Sequence, residues 1–178
     1  MQRMILEQSV LTANPQLRYV VYAIIALLLT IINVVVIQLI AVAGVTPNLL
    51  LIMCVTIALI EGQFTGLLFG WCVGMVFDIA STDDIGLNAL AMTVSSFIAG
   101  YFYLEGKTAK SLGTTRYLLV VALASLIYFT IYFLLFIRPV NSTVYDFLIK
   151  NIAASTLYTS VFSILPMLWF SRNMDRSS

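Results

Sequence analysis

The sequence predicts an all-α integral membrane protein, a bundle of six transmembrane helices forming one domain over residues 1–178. Apolar residues make up 61% of the chain and charged residues 10%, whereas soluble domains have about 45–50% apolar and about 25% charged residues. Apolar segments of about 20 residues, enough to cross a ~30 Å hydrocarbon core, recur along the chain. The basic residues between these segments are distributed unequally. These three observations together predict the fold class.

The first apolar segment, residues 19–43, is interpreted as an uncleaved transmembrane helix. It ends in Ala-Val-Ala at residues 41–43, which resembles a signal-peptidase site. The hydrophobic region of a signal peptide is only about 7–15 residues long, so this segment is too long to be one. Its larger polar side chains, Asn33 and Gln38, are expected to form hydrogen bonds with neighbouring helices.

The next apolar stretch, residues 49–79, is too long for one straight span. As a single helix it would measure about 46 Å at about 1.5 Å per residue, with Glu61 near its middle. A break at Gly62 instead predicts two short helices over residues 46–61 and 63–80, which suffice if neighbouring helices cover them.

The remaining helices are predicted at residues 85–104, 117–137 and 145–170, the last with its apolar part from Ile152 onward. Pro166 is expected to kink the sixth helix rather than end it. Cap signals precede several helices. They are Thr46 with Pro47 for the second helix, Asp83 or Asp84 for the fourth, and Thr114 or Thr115 for the fifth.

Loop charges favour six spans with both termini in the cytoplasm, because basic residues accumulate on the cytoplasmic side. Six spans place seven basic residues inside and two outside, whereas five spans place four inside and five outside. The seven are Arg3, Arg18, Lys107, Lys110, Arg116, Arg172 and Arg176, and the two are Arg138 and Lys150.

The third predicted helix carries a glycine ladder, defined as glycines at four-residue spacing that lead to an aspartate. Its members are Gly62, Gly66, Gly70, Gly74 and then Asp78. Residues at this spacing share one helix face, and small residues there let another helix approach closely within a membrane. The ladder therefore predicts close helix packing, with a neighbour in the same chain or in a partner.

Asp78 has two interpretations. A carboxylate within a membrane is costly and is a candidate for a proton or ion pathway. Alternatively, Asp78 lies near the outer interface and forms hydrogen bonds with nearby backbone groups or with Asn88. The other predicted helices supply no second buried ionisable group, which favours the structural interpretation.

The residue types argue against an enzyme. The chain has no His, the commonest general base and metal ligand. Its two cysteines, Cys54 and Cys72, lie in apolar stretches and are interpreted as small buried hydrophobes. We therefore expect no catalytic residues, metal or cofactor, and the net charge of +1 predicts no nucleic-acid partner.

Three motifs within residues 46–101 resemble the bacterial rod shape-determining protein MreD family. They are TPNLLL at 46–51, the glycine ladder ending at Asp78 followed by DIGLNAL at 84–90, and AGY at 99–101. Five residues fall on family-like positions and join the ladder as helix-packing or partner-contact candidates. They are Pro47, Asn48, Asp78, Gly86 and Ala89.

The resemblance implies a non-enzymatic scaffold subunit of the cell-wall elongation machinery, in the bacterial cytoplasmic membrane. Its direct partner would be MreC, with indirect links to MreB and to the RodA–transpeptidase peptidoglycan synthase. The resemblance also implies a helix arrangement similar to that of the substrate-binding subunits of vitamin transporters. A vitamin-binding subunit is therefore the alternative, although the chain lacks the Ala-x-x-x-Ala pattern that many such subunits carry.

Overall fold

The computed structural model describes residues 15–36, 46–81, 85–104, 112, 114–136 and 142–168. These residues form six α-helices and no strand, which confirms the all-α class. The helices are α1 (Pro15–Ile31, continued by a π-helix at Ile32–Val36), α2 (Leu49–Glu61), α3 (Gln63–Ser81), α4 (Leu87–Gly100), α5 (Thr115–Phe136) and α6 (Ser142–Phe162).

Four segments are long and apolar enough to cross a membrane. They are Gln16–Val35, Gln63–Ser81, Thr115–Leu135 and Lys150–Leu168. The chain is therefore a multi-pass membrane protein. The other two helices, α2 and α4, have 13 and 14 residues and measure about 20 Å each. Both are shorter than the predicted ranges 46–61 and 85–104.

The short helix α2 lies at the centre of the bundle. It contacts each of the other five helices, and eight of its thirteen residues are buried, including Leu50, Leu51 and Val55. A helix surrounded by protein does not need to match the thickness of the bilayer, because its ends face other helices and not lipid. This position explains how so short a helix is accommodated.

Several helix starts differ from the predicted ones, and at α2 and α5 a local hydrogen bond accompanies the observed start. α2 begins at Leu49, not at residue 46, because Asn48 is its N-cap. α5 begins at Thr115, two residues early, and the N–H of Tyr117 binds the carbonyl of Thr114 at 2.9 Å. α6 begins at Ser142 and not at residue 145. Gln38, Asp83 and Asp84 lie outside the described residues.

Regular helix stops at Phe162 and resumes over residues 164–168, with Ser163 in a turn. Proline has no N–H, so Pro166 cannot bond to the carbonyl of Phe162, four residues earlier. The interruption therefore lies one turn before the proline, where the missing hydrogen bond would have been.

Candidate functional site

The glycine ladder brings the backbone of α3 against its neighbours. A Cβ atom added at Gly70 would lie 2.8 Å from the carbonyl oxygen of Met92, and one at Gly74 would lie 2.8 Å from the backbone nitrogen of Ala89. Both of these atoms belong to the main chain of α4. At Gly66 the added atom would lie 2.8 Å from the Cα of Ala58 on α2. Three members of the ladder therefore pack within the chain itself.

The facing side of α4 has a matching ladder of its own. Its members recur at four-residue spacing and are all buried: Asn88, Met92, Ser96 and Gly100. Gly100 continues the close approach at the far end, since a Cβ there would lie 2.9 Å from the Cβ of Gln63. The sequence signal for this ladder was present, but Met and Asn at two of the four positions made it less obvious than a run of glycines.

Gly62 does not belong to this packed face. It separates α2 from α3 with φ +95°, a backbone conformation that residues with a Cβ rarely adopt. The nearest atoms to an added Cβ would be those of the Tyr103 ring, at 3.9 Å. The first glycine of the predicted ladder therefore acts through its conformation, and the close packing begins at Gly66.

The ladder ends in a carboxylate that caps the next helix. Oδ2 of Asp78 accepts hydrogen bonds from the N–H groups of Gly86, at 2.9 Å, and Ala89, at 3.1 Å. Oδ1 accepts one from the N–H of Asn88 at 3.0 Å. These N–H groups belong to the N-cap and first turn of α4, where backbone N–H groups have no partner within the helix. Asp78 is 1% exposed and has little contact with solvent. The three N–H donors and the dipole of α4 stabilise its carboxylate instead.

Gly86 is the N-cap residue of α4, with φ +99°, and no side chain of its own forms the cap bond. A side chain from α3 therefore supplies the cap that a Ser or Asp at this position would normally provide. This arrangement supports the structural interpretation of Asp78 over the proton-pathway one. A third helix joins these contacts, because the hydroxyl of Tyr128 on α5 donates a hydrogen bond to Oδ1 of Asn88 on α4.

A second polar junction surrounds the start of α2. Oδ1 of Asn48 accepts from the N–H of Leu51 at 3.0 Å, which caps α2. The same oxygen accepts from Nδ2 of Asn33 at 3.4 Å, and the backbone N–H of Asn48 donates to Oγ1 of Thr159 at 3.2 Å. Asn48 thus connects α1, α2 and α6. Asn33 forms the interhelical bond expected from the sequence.

The N-cap and the first helical residue of α2 were predicted at Thr46 and Pro47, two residues before their observed positions. Asn48, and not Thr46, is the N-cap, and Pro47 precedes the helix instead of opening it. Pro47 is fully buried beside this junction.

A third polar group lies at the opposite end of α2. Oε2 of Glu61 is 2.7 Å from Nη2 of Arg18, and Oε1 accepts from the hydroxyl of Tyr22 at 3.1 Å. Arg18 also lies over the ring of Tyr19, 5.6 Å from its centroid. Sequence reasoning did not identify this cluster, although Arg18, Tyr22, Ala26 and Thr30 recur every four residues along α1. The expectation that no helix supplies a second buried ionisable group was wrong, because the Glu61 side chain is 7% exposed.

The nine residues predicted from the sequence as helix-packing or partner-contact candidates lie inside the bundle. Eight are buried and Gly86 is half-buried. Their contacts join α1, α2, α3, α4 and α6. Within the described ranges no group of three or more His, Cys, Asp or Glu residues could hold a metal ion.

In a comparison with protein families, residues 14–174 match the family described as rod shape-determining protein MreD. No curated protein matches the chain. No solved structure matches it either.

Proposed function

Since the chain belongs to the MreD family of rod shape-determining proteins, we propose that it is a non-enzymatic membrane scaffold that binds MreC and helps regulate cell-wall elongation. Membership of the family implies a role in determining rod shape. We propose that the chain contacts MreC in the cytoplasmic membrane and has both termini on the cytoplasmic side. Its links to MreB and to the RodA–transpeptidase synthase are indirect.

The inward position of the candidate residues carries the mechanistic part of the proposal. The backbones of α2 and α4 occupy the groove that Gly66, Gly70 and Gly74 create on α3, so this face is not free for a second protein. Its role is to fix the internal framework. MreC then binds an outward face of the bundle, where apolar side chains are exposed.

The outer face of α3 is the best candidate for that contact. Trp71 lies on it and is 53% exposed, with Phe64 and Leu68 exposed beside it. Trp71 is eight residues from Gln63 and ten from Ser81, or about 12 and 15 Å from the helix ends at about 1.5 Å per residue. Tryptophan facing lipid is enriched near the membrane interfaces. An exposed Trp at mid-helix is better explained as an anchor for a partner helix, since Trp is enriched among residues that dominate protein interfaces.

Two exposed positions on different helices provide a test and its control, with MreC co-purification from membranes as the readout. Trp71→Ala should reduce recovery of MreC while the thermal stability of the purified protein changes little. Leu123→Ala, at an exposed position on α5, is the control and should leave recovery unchanged.

A photocrosslinking amino acid placed at Leu68 should form an adduct with MreC, and one placed at Leu123 should not. Unchanged MreC recovery with Trp71→Ala, together with no adduct at Leu68, would exclude this face. No adduct at any outward position would count against direct MreC binding. Co-purification of a tightly bound vitamin would instead favour the alternative of a transporter subunit.

A further inference from the structure

The helix α1 is less firmly attached than the rest of the bundle. Among the described helices it makes the sparsest contacts, mainly with α2 and α3. Most of its large apolar side chains point outward, including Ile24, Leu27 and Leu28. In contrast, α3 and α4 touch through their backbones along the glycine ladder, and α2 contacts every other helix. The helices α2 to α6 therefore form a body on which α1 rests.

Polar bonds attach α1 near both of its ends. At its N-terminal end, Arg18 and Tyr22 bind the carboxylate of Glu61 at 2.7 and 3.1 Å. At its C-terminal end, Asn33 binds Asn48 at 3.4 Å. Asn33 lies in the π-helical segment Ile32–Val36, and such segments are frequent at functional sites. Between the two attachments, the residues facing the body are small or aliphatic, such as Ala26.

The two ends differ in how strongly they hold. The pair at Glu61 is charged and short, whereas the contact at Asn33 is neutral and long. The Glu61 side chain is 7% exposed and that of Arg18 is 31% exposed. The Glu61 carboxylate is therefore buried within the body formed by α2 to α6, and the more exposed Arg18 side chain contacts it from the edge of the bundle. Charge-assisted hydrogen bonds are stronger than neutral ones, and a buried charge that loses its partner is strongly unfavourable.

We propose that the Arg18–Glu61 ion pair is a latch that holds α1 against the corner between α2 and α3. When the pair opens, α1 moves as a unit about its π-helical end, while α2 to α6 stay together. The movement uncovers Glu61 and the ring of Phe69, which packs edge-to-face against Tyr22 in the latched position, with centroids 6.2 Å apart. The helix α1 therefore has two positions, and whether the Arg18–Glu61 pair is closed or open determines which one it occupies.

Distances between spin labels in lipid nanodiscs test the latch. One label pair joins Leu27 on α1 to Leu123 on α5, and a second joins Leu68 on α3 to Leu123; all three positions are exposed. The exposed Cys72 is replaced by Ala, and the buried Cys54 is retained. The otherwise unmodified protein should show one narrow distance for each pair.

Glu61→Gln should add a longer Leu27–Leu123 component and leave the Leu68–Leu123 distance unchanged. The charge-reversed double variant Arg18→Glu with Glu61→Arg should restore the narrow distribution. Tyr117→Phe, which removes the hydrogen bond between α5 and Thr56 on α2, is the control for general loosening and should leave the α1 distance unchanged.

An unchanged α1 distance in Glu61→Gln would overturn the proposal, as would equal broadening of both label pairs. If Glu61→Gln does not fold, Arg18→Gln decides by the same criteria, since Arg18 lies at the edge of the bundle.

Discussion

Asp78 and Ala89 lie on different helices, and the carboxylate of the first accepts a hydrogen bond from the backbone N–H of the second at 3.1 Å. Two further N–H groups of the same helix start, those of Gly86 and Asn88, bind the same carboxylate. Gly74, one turn before Asp78, packs against Ala89 as well. The glycine thus brings the helices close enough for the carboxylate to reach the end of α4, so packing and capping depend on each other.

Replacing Asp78 should destabilise the protein strongly. Asp78→Ala leaves three N–H groups of α4 without their acceptor, and each buried group without a partner costs about 1–3 kcal/mol. Asp78→Asn keeps one acceptor oxygen but turns an amide NH2 toward N–H donors, so we expect a smaller loss of about 1–3 kcal/mol. Unfolding by SDS in mixed micelles measures both. Lys150→Gln, at an exposed position, is the control, and a loss no larger than the control would contradict the capping role.

Bulk added to the glycine ladder should be costly because the neighbour is backbone. Gly74→Ala should reduce the free energy of unfolding by about 1–3 kcal/mol, as overpacking does in well-packed interiors. Ala80→Val adds volume at an exposed position on the same helix and should change stability little. The comparison is made in the same SDS titration. Equal effects of the two substitutions would mean that the backbones do not touch.

Gly62→Ala tests a different property of glycine. With φ +95° and ψ 175°, Gly62 occupies a backbone region that is essentially restricted to glycine and that costs other residues about 1–3 kcal/mol, although the space around it is adequate. We expect Gly62→Ala to reduce the free energy of unfolding by that amount, and Gly62→Asn to reduce it equally, because Asn tolerates the left-handed helical region but not this one. Thermal unfolding in detergent measures both variants, and a loss well below about 1 kcal/mol in both would argue against a conformational cause.

Much of the fold could be predicted because membrane helices carry strong local signals. Apolar length located the helices, and the glycine spacing identified the face of α3 that packs closely. The sequence did not distinguish a neighbour in the same chain from one in a partner, since the same small residues serve both. The sequence allowed hydrogen bonds from Asp78 to nearby backbone groups, and these are present. It assigned the cap of α4 to Asp83 or Asp84 instead, because a capping side chain eight to eleven residues before the groups it binds leaves no local pattern. The Arg18–Glu61 pair was missed for a similar reason, as it links positions 43 residues apart.

Thr159 should be required for its hydroxyl at the Asn48 junction. Thr159→Val has nearly the same shape but leaves the buried N–H of Asn48 without its acceptor, so we expect a loss of about 1–3 kcal/mol. Thr159→Ser keeps the oxygen and should retain most of the stability. Thr130→Val is a matched control, because the hydroxyl of Thr130 is exposed and bonds within its own helix to Leu126. Thermal unfolding of the purified variants in one detergent compares all three. If Thr159→Val were as stable as Thr130→Val, the bond to Asn48 would contribute nothing.

The contact between Thr56 on α2 and Tyr117 on α5 allows the strength of one interhelical bond to be measured. Their hydroxyl oxygens are 2.9 Å apart, and Tyr117 is fully buried. Thr56 also bonds back to the carbonyl of Ile52, so its hydrogen is committed there and Tyr117 acts as the donor.

We expect a coupling free energy of about 0.6 kcal/mol, the typical value for polar contacts between membrane helices, from a double-mutant cycle of Tyr117→Phe and Thr56→Val. A second cycle with Tyr117→Phe and Thr130→Val, which are not bonded to each other, should give additive effects. Coupling of equal size in both cycles would show that the single substitutions disturb α5 as a whole, and that the bond itself is not what the first cycle measures.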